Sequence, residues 1–212
     1  MRKIDAPFKR LILREAAIRL LLAALLASAC ATSGDSRPAQ VELQESGFTI
    51  TEDVRVGFGV RADFGNAVRF LKEERYEDAI ALLLEVTQAA PQLTTAHIDL
   101  GIAYRAVGDL ERAEASLERA LELNSRHPVA YNELGIVYRK TGRFERARES
   151  YESALAVHPD FHYARRNLAI LCDVYIRDMS CALEHYELYT QAVPEDEAAA
   201  MWVADLRNRV RE

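Results

Sequence analysis

The sequence lacks the short motifs that mark most catalytic sites. No serine or cysteine stands in a nucleophile motif, the cysteines form no C-x-x-C pair, and Gly57 and Gly59 lack the third glycine of a dinucleotide-binding loop. His158 and His162 have the spacing of metal ligands, but Pro159 between them breaks any shared helical face. We therefore expect no enzyme activity, no cofactor and no metal site.

An excess of basic charge is also missing. The 212 residues include 27 Lys and Arg against 33 Asp and Glu, a formal net charge of −6. Six of the basic but only two of the acidic residues precede Cys30, so loss of residues 1–29 would leave a charge of −10. A chain this acidic has no broad field to attract phosphates, which argues against nucleic-acid binding.

No apolar run is long enough to cross a bilayer. The longest one near the N-terminus, LLLAALLASA, covers residues 20–29 and is about half of the roughly 20 residues that a spanning helix needs. A basic zone up to Arg19, this apolar run and small residues before Cys30 are typical of an export signal. The alternative is an amphipathic helix packed on a cytosolic domain.

The residues LASAC, which end at Cys30, resemble a bacterial lipoprotein signal, in which the cysteine is lipidated on sulfur and becomes the new N-terminus. On that resemblance residues 1–29 are a signal peptide and Cys30 is the membrane anchor. Several acyl chains on one residue would hold the protein more firmly than the single chain that gives marginal binding. By the same resemblance, Ala31 in place of Asp favours the outer membrane and hence a periplasmic location.

Lipid on Cys30 would leave Cys172 and Cys181 as a pair in an oxidising compartment. The two are nine residues apart in CDVYIRDMSC. A turn near residues 177–179 would place them on facing helices of a hairpin, where a disulfide is geometrically feasible. The alternative is that both are reduced residues of the core.

The chain after Cys30 changes its pattern twice. Residues 30–46 are polar and unpatterned, which predicts a flexible tether. Residues 47–62 then alternate apolar and polar side chains from Phe48 onward, which is the period of a strand. Because a lone short hairpin is marginally stable, we expect an extended segment docked on the domain that follows.

Two later segments are copies of one repeat unit. LGIAYRAVGDLERAEASLERALEL, from residue 100 to 123, aligns with LGIVYRKTGRFERARESYESALAV, from 134 to 157, at a constant offset of 34. Gly101 and Ala113 are small where two helices cross closely, and Gly108 and Gly142 supply the left-handed residue that ends each first helix. The unit resembles the tetratricopeptide repeat, with Pro159 at its closing proline.

Weaker copies extend the array in both directions. The predicted repeats cover about residues 60–93, 94–127, 128–161 and 162–195, with one residue inserted in the last turn, and an amphipathic capping helix follows over 196–212. The predicted fold class is therefore all-α. It is a right-handed tetratricopeptide-repeat superhelix of about four helical hairpins plus a C-terminal cap, and a short extended segment precedes it.

By this resemblance the first helices of successive hairpins form a concave surface, whose side chains need not serve the core. An apolar ladder flanked by arginines and asparagines predicts a partner peptide or helix with an apolar stripe and one acidic edge. The alternative is that the isoleucines pack under neighbouring helices and the arginines are solvated. The predicted groove residues are Ile98, Arg105, Asn132, Ile136, Arg139, Tyr163, Arg166, Asn167 and Ile170.

These features predict a non-enzymatic, lipid-tethered adaptor that presents its groove to a protein of an envelope machine. By resemblance, lipoproteins with such repeats include pilotins of pilus secretins and accessories of TonB-type energy transduction, and residues 164–189 are more similar to the second group. We expect a protein or peptide partner, membrane contact through lipid, no nucleic acid and no small-molecule substrate. The alternatives are a cytosolic co-chaperone-like scaffold with an uncleaved N-terminal helix, and an envelope enzyme subunit whose array binds glycan or peptide while another chain does the chemistry.

Overall fold

The computed structural model describes residues 40–44, 47–52 and 54–210. The apolar run at residues 20–29 and Cys30 lie outside these residues. In the described part, nine helices follow one another in antiparallel succession. They are α1 (Phe58–Lys72), α2 (Tyr76–Ala89), α3 (Thr94–Ala106), α4 (Leu110–Leu123), α5 (Pro128–Lys140), α6 (Phe144–Val157), α7 (His162–Ile170, continued by a π-helical turn Leu171–Ile176), α8 (Met179–Ala192) and α9 (Glu197–Arg209).

The helices pair into four hairpins, α1 with α2, α3 with α4, α5 with α6, and α7 with α8, and α9 packs on α8. Each hairpin also packs on the next, so one hydrophobic core runs through the whole row. The prediction of an all-α solenoid with four hairpins and a C-terminal helix is confirmed. Within the described residues, no helix is both long and apolar enough to cross a bilayer.

In each central hairpin, a glycine on the first helix leaves space for a large side chain of the second helix. A Cβ atom on Gly101 would lie 2.6 Å from Leu117 Cγ, and one on Gly135 would lie 2.5 Å from Tyr151 Cε1. Leu117 and Tyr151 are both 0% exposed, so neither has free space to move into. The predicted close crossing of the two helices is confirmed.

The first helix of each hairpin ends at a residue with left-handed backbone conformation. In the central hairpins this residue is Gly108, with φ 85°, and Gly142, with φ 75°, as the sequence predicts. In the outer hairpins Glu74 and Arg177 take the same place with φ of 58° and 62°. A residue with a Cβ atom pays about 1 kcal/mol or more for this conformation, so the outer turns are intrinsically weaker.

The last hairpin accommodates its extra residue inside a helix. The second helix begins 16 residues after the first in the two central hairpins, but 17 after it in the last one. The Arg177 N–H donates to the Cys172 carbonyl, five residues back, and the six residues before Arg177 are π-helical. The insertion predicted for the turn is thus a π-bulge, which absorbs one residue without breaking the backbone hydrogen bonds.

Two strands precede the helices and pair antiparallel. They are β1 (Gln40–Gln44) and β2 (Gly47–Thr51), with Val41 opposite Ile50 and Leu43 opposite Phe48. Strand β1 lies in the stretch interpreted as a tether, and α1 begins at Phe58, inside the stretch predicted to be extended. The apolar residues after Phe58 also fit a helical period, and short runs satisfy both periods.

Cys172 and Cys181 are joined by a disulfide between the π-helical turn and α8, with their Cα atoms 5.9 Å apart. Cys172 is 0% exposed, and the Asp178 carboxylate accepts the Cys181 backbone N–H at 3.1 Å, which caps the start of α8. The bond closes a short loop around the π-bulge, where the repeat departs most from its neighbours.

We expect replacement of both cysteines by alanine to lower the free energy of unfolding by about 3 kcal/mol, because the unfolded chain regains the entropy of the closed loop. In thermal melts followed by circular dichroism this is a loss of roughly 5–10 °C. A reductant should lower the melting temperature of the natural chain by a similar amount and leave the double variant unchanged. Equal melting of the natural chain with and without reductant would contradict a stabilising bond.

Candidate functional site: a concave cleft between α5 and α7

A cleft of about 610 Å³ opens between α5 and α7, at the junction of the third and fourth hairpins. One wall is the first helix of the third hairpin, and the other is the loop and first helix of the fourth. The lining residues are Val129, Asn132, Glu133, Ile136, His158, Asp160, Phe161, His162, Tyr163 and Asn167. The cleft combines apolar, aromatic, amide and carboxylate side chains.

The floor of the cleft carries a chain of side-chain hydrogen bonds. Arg105 Nε donates to Glu133 Oε2 at 2.9 Å, and Asn132 Nδ2 donates to Glu133 Oε1 at 3.2 Å. Asn167 Nδ2 in turn donates to Asn132 Oδ1 at 2.9 Å. These four side chains come from the second, third and fourth hairpins, so the polar chain crosses three repeats.

Glu133 is the buried carboxylate of this polar chain. Its exposure is 8%, and burial raises the pKa of its carboxyl, while the Arg105 guanidinium and the Asn132 amide act in the opposite direction. Removal of one partner of a buried ion pair leaves the other charge uncompensated. Arg105 therefore compensates the charge of Glu133, and its Nε–H is used within the array.

The opposite wall is aromatic. The Tyr163 ring lies 4.2 Å from the His162 ring and 6.0 Å from the Phe161 ring, centroid to centroid, the latter pair edge to face. Tyr163 is 61% exposed, whereas Phe161 is 6% exposed and anchors the cluster. Burial lowers the pKa of His158, although nearby Asp160 acts to raise it, so this imidazole is neutral at neutral pH.

Four of the predicted groove residues line the cleft: Asn132, Ile136, Tyr163 and Asn167. Ile98 does not, because it is 4% exposed and belongs to the core. Ile170 is partly buried against the same core. For these two isoleucines the structure follows the alternative, in which they pack under neighbouring helices.

The predicted arginines are engaged within the array. Arg139 Nε donates to Tyr151 Oη at 3.4 Å, and its guanidinium lies 5.6 Å from the Tyr175 ring. The Arg166 guanidinium lies 5.6 Å from the Trp202 ring and close to Asp196. With Arg105 bound to Glu133, none of the three lines the cleft, so the basic edge expected to face an acidic ligand is not presented there.

Sequence reasoning missed the loop that forms the aromatic wall. His158, Asp160 and Phe161 lie between two hairpins, and His162 is the first residue of α7, so none of them is at a helical position from which a concave surface is usually inferred. The signal that could have found them is the dense aromatic stretch HPDFHY at a repeat junction. Among the described residues, no three His, Cys, Asp or Glu side chains gather where they could hold a metal ion.

The segment before α1 reaches the start of α3. The backbone N–H and the hydroxyl of Thr95 donate to the Glu52 carboxylate at 3.2 and 3.1 Å, and Val54 and Val56 pack against the core. Asp99, one helical turn after Thr95, is partly buried. Burial, with a smaller effect of the Glu52 charge, raises the pKa of Asp99 to about 7.

A row of stacked helix pairs whose first helices share a polar cleft defines the chain as a helical-repeat scaffold of the kind suited to protein–protein interaction. Family models described as tetratricopeptide repeat match residues 92–160 and 132–197, which together are half of the chain. The chain belongs to the tetratricopeptide-repeat family. This fold is an interaction scaffold and generally carries no catalysis.

Solved structures share the fold at low identity. MamA (41-end) from Desulfovibrio magneticus RS-1 is 20% identical, with 74% of this chain and 88% of that one covered and a TM-score of 0.65. Pseudomonas aeruginosa pilF is 20% identical, with 72% and 69% covered and a TM-score of 0.65. The first repeat domain of Spaghetti (RPAP3), bound to the HSP90 peptide SRMEEVD, is 20% identical, with 55% and 93% covered and a TM-score of 0.53. No curated protein matches the sequence.

Proposed function

We propose that the chain is a lipid-anchored adaptor of the bacterial cell envelope. Its repeat array binds a protein of an envelope machine through the concave cleft, and lipid on Cys30 holds it at the periplasmic face of a membrane, the outer membrane by preference. The machine is a TonB-type energy-transduction system or a pilus secretin under assembly. The array itself performs no chemistry.

The observation that carries the adaptor role is the cleft between α5 and α7. Its volume of about 610 Å³ suits a few side chains of a partner, and Tyr163 at 61% exposure offers a large ring that the core does not use. Tyrosine is among the residue types enriched at the centres of protein interfaces.

Two features support the envelope location. The residues up to Cys30 have the order of a lipoprotein signal, basic, then apolar, then small. The disulfide between Cys172 and Cys181 is the state expected in an oxidising compartment, since cytosolic thiols are kept reduced. The odd number of cysteines then has an explanation, because the third one carries lipid.

The intact mass of the protein recovered from the membrane fraction of its native host tests this proposal. We expect loss of residues 1–29, gain of acyl groups, and two hydrogens fewer for the disulfide. Cys30→Ser should abolish acylation and move the protein to the soluble fraction. Cys172→Ser is the matched control, because it removes the disulfide and should leave acylation intact.

An unprocessed chain with reduced cysteines in the soluble fraction would contradict the proposal. That result would favour the cytosolic scaffold with an uncleaved N-terminal helix. A processed chain that copurifies with an activity insensitive to changes in the cleft would instead favour the enzyme-subunit alternative.

A further inference from the structure

We propose that the cleft between α5 and α7 binds a segment of the partner in which a lysine or arginine stands next to apolar or aromatic residues. This inference rests on the adaptor function proposed above and specifies the chemistry of the partner. A basic partner segment differs from the sequence-based prediction, in which the partner has an acidic edge.

The charges in the cleft are negative. Two carboxyl groups, Glu133 and Asp160, are among its lining residues, and none of those residues is lysine or arginine. Arg105 donates to one oxygen of Glu133 and Asn132 to the other, and each carboxylate oxygen has capacity for a further donor. Asp160 lies exposed at the rim, where a basic side chain can reach it.

The exposed ring of Tyr163 adds a second attraction for the same ligand. A guanidinium or ammonium over an aromatic face is attracted by the negative face of the ring. The array already uses this contact inside itself, with Arg112 4.6 Å from the Tyr104 ring and Arg143 4.5 Å from the Tyr138 ring. Val129 and Ile136 supply apolar surface beside the aromatic wall.

An acidic segment would meet repulsion in the same place. An added carboxylate would lie beside Glu133 and Asp160, and no lysine or arginine among the lining residues could pair with it. Arg105, Arg139 and Arg166 do not line the cleft, and the first two are hydrogen-bonded to Glu133 and Tyr151. Like charges placed across an interface disfavour binding.

The test is selection of a displayed random-peptide library on the immobilised full-length chain, followed by affinity measurement of the selected peptides by fluorescence polarisation. We expect enrichment of lysine or arginine next to aromatic or aliphatic residues. Asp160→Lys and Tyr163→Ser, both at exposed positions, should each weaken binding about tenfold.

Glu152→Lys is the matched control for Asp160→Lys. It makes the same change of net charge at an exposed position of α6 that does not line the cleft, and should change affinity less than about twofold. Circular dichroism spectra of all three variants should match that of the natural chain.

Three results would overturn the proposal. Enrichment of acidic peptides that depend on Tyr163 would leave the adaptor function standing and show that the partner chemistry is wrong. Basic peptides unaffected by Asp160→Lys and Tyr163→Ser would place their site elsewhere. Selection of no peptide, together with self-association that Tyr163→Ser abolishes, would show that a second copy of the chain covers the cleft. None of these results depends on the mass of the native protein, which tests the adaptor's location separately.

Discussion

Gly135→Leu is expected to destabilise the array by more than about 3 kcal/mol and to unfold its third hairpin. Even a single methyl group at this position would lie 2.5 Å from the Tyr151 ring, which is 0% exposed. Overpacking of a filled core usually costs about 1–3 kcal/mol, and a leucine exceeds the space by far more than one methyl group. Urea unfolding followed by circular dichroism measures the loss.

Gly65→Leu provides the matched control. Gly65 lies inside α1, and a Cβ atom there would meet nothing within 4 Å. Because leucine has the higher helix propensity, this variant should be more stable by about 0.5 kcal/mol. If the two variants unfolded at the same urea concentration, the close crossing of α5 and α6 would be refuted.

Asp99→Asn is expected to stabilise the protein by up to about 4 kcal/mol at pH 8 and to have little effect at pH 4. The folded state raises the pKa of Asp99 from 3.8 to about 7, so ionisation costs free energy in the folded state. This cost is absent below the unfolded pKa, grows as pH rises from about 4 to 7, and stays constant above 7. Asparagine cannot ionise, so the variant does not have this free-energy cost.

The measurement is the free energy of unfolding in urea between about pH 4 and pH 8. The stability of the natural chain relative to Asp99→Asn should fall as pH rises through this window. Glu133, whose pKa burial raises, and His127, whose pKa burial lowers to about 4, contribute to both curves alike and cancel in the difference. Asp205→Asn, at an exposed position of α9, makes the same charge change and should give a curve parallel to that of the natural chain. Parallel curves for Asp99→Asn would contradict its burial.

The sequence predicts the fold well because the residues that determine the structure of the repeat occur in two copies. Gly101 with Gly135, and Gly108 with Gly142, each recur at an offset of 34, and the structure gives each pair one geometry. The physical demands behind them, close helix crossing and a left-handed residue, are local and admit few residue types. The sequence does not predict the π-bulge, because a helical hairpin can accommodate one inserted residue either in its turn or within a helix.

The cleft was harder to predict because its chemistry depends on contacts between repeats. Arg105 fits a ligand-binding position as well as it fits a structural one, and only the position of Glu133, 28 residues later, decides between them. Ile98 lies at a groove position of the repeat but is buried in the core. The loop around Phe161 follows no helical period and so contributes nothing to a positional pattern.

The hydrogen-bonded chain from Arg105 through Glu133 and Asn132 to Asn167 bears on how the array comes apart. In a solenoid, total stability is the sum of repeat terms and interface terms, and a strong interface makes its two repeats open together. Because this chain of hydrogen bonds links three hairpins, we expect the three to open together. A partner would then meet the wall and the floor of the cleft either both formed or both open.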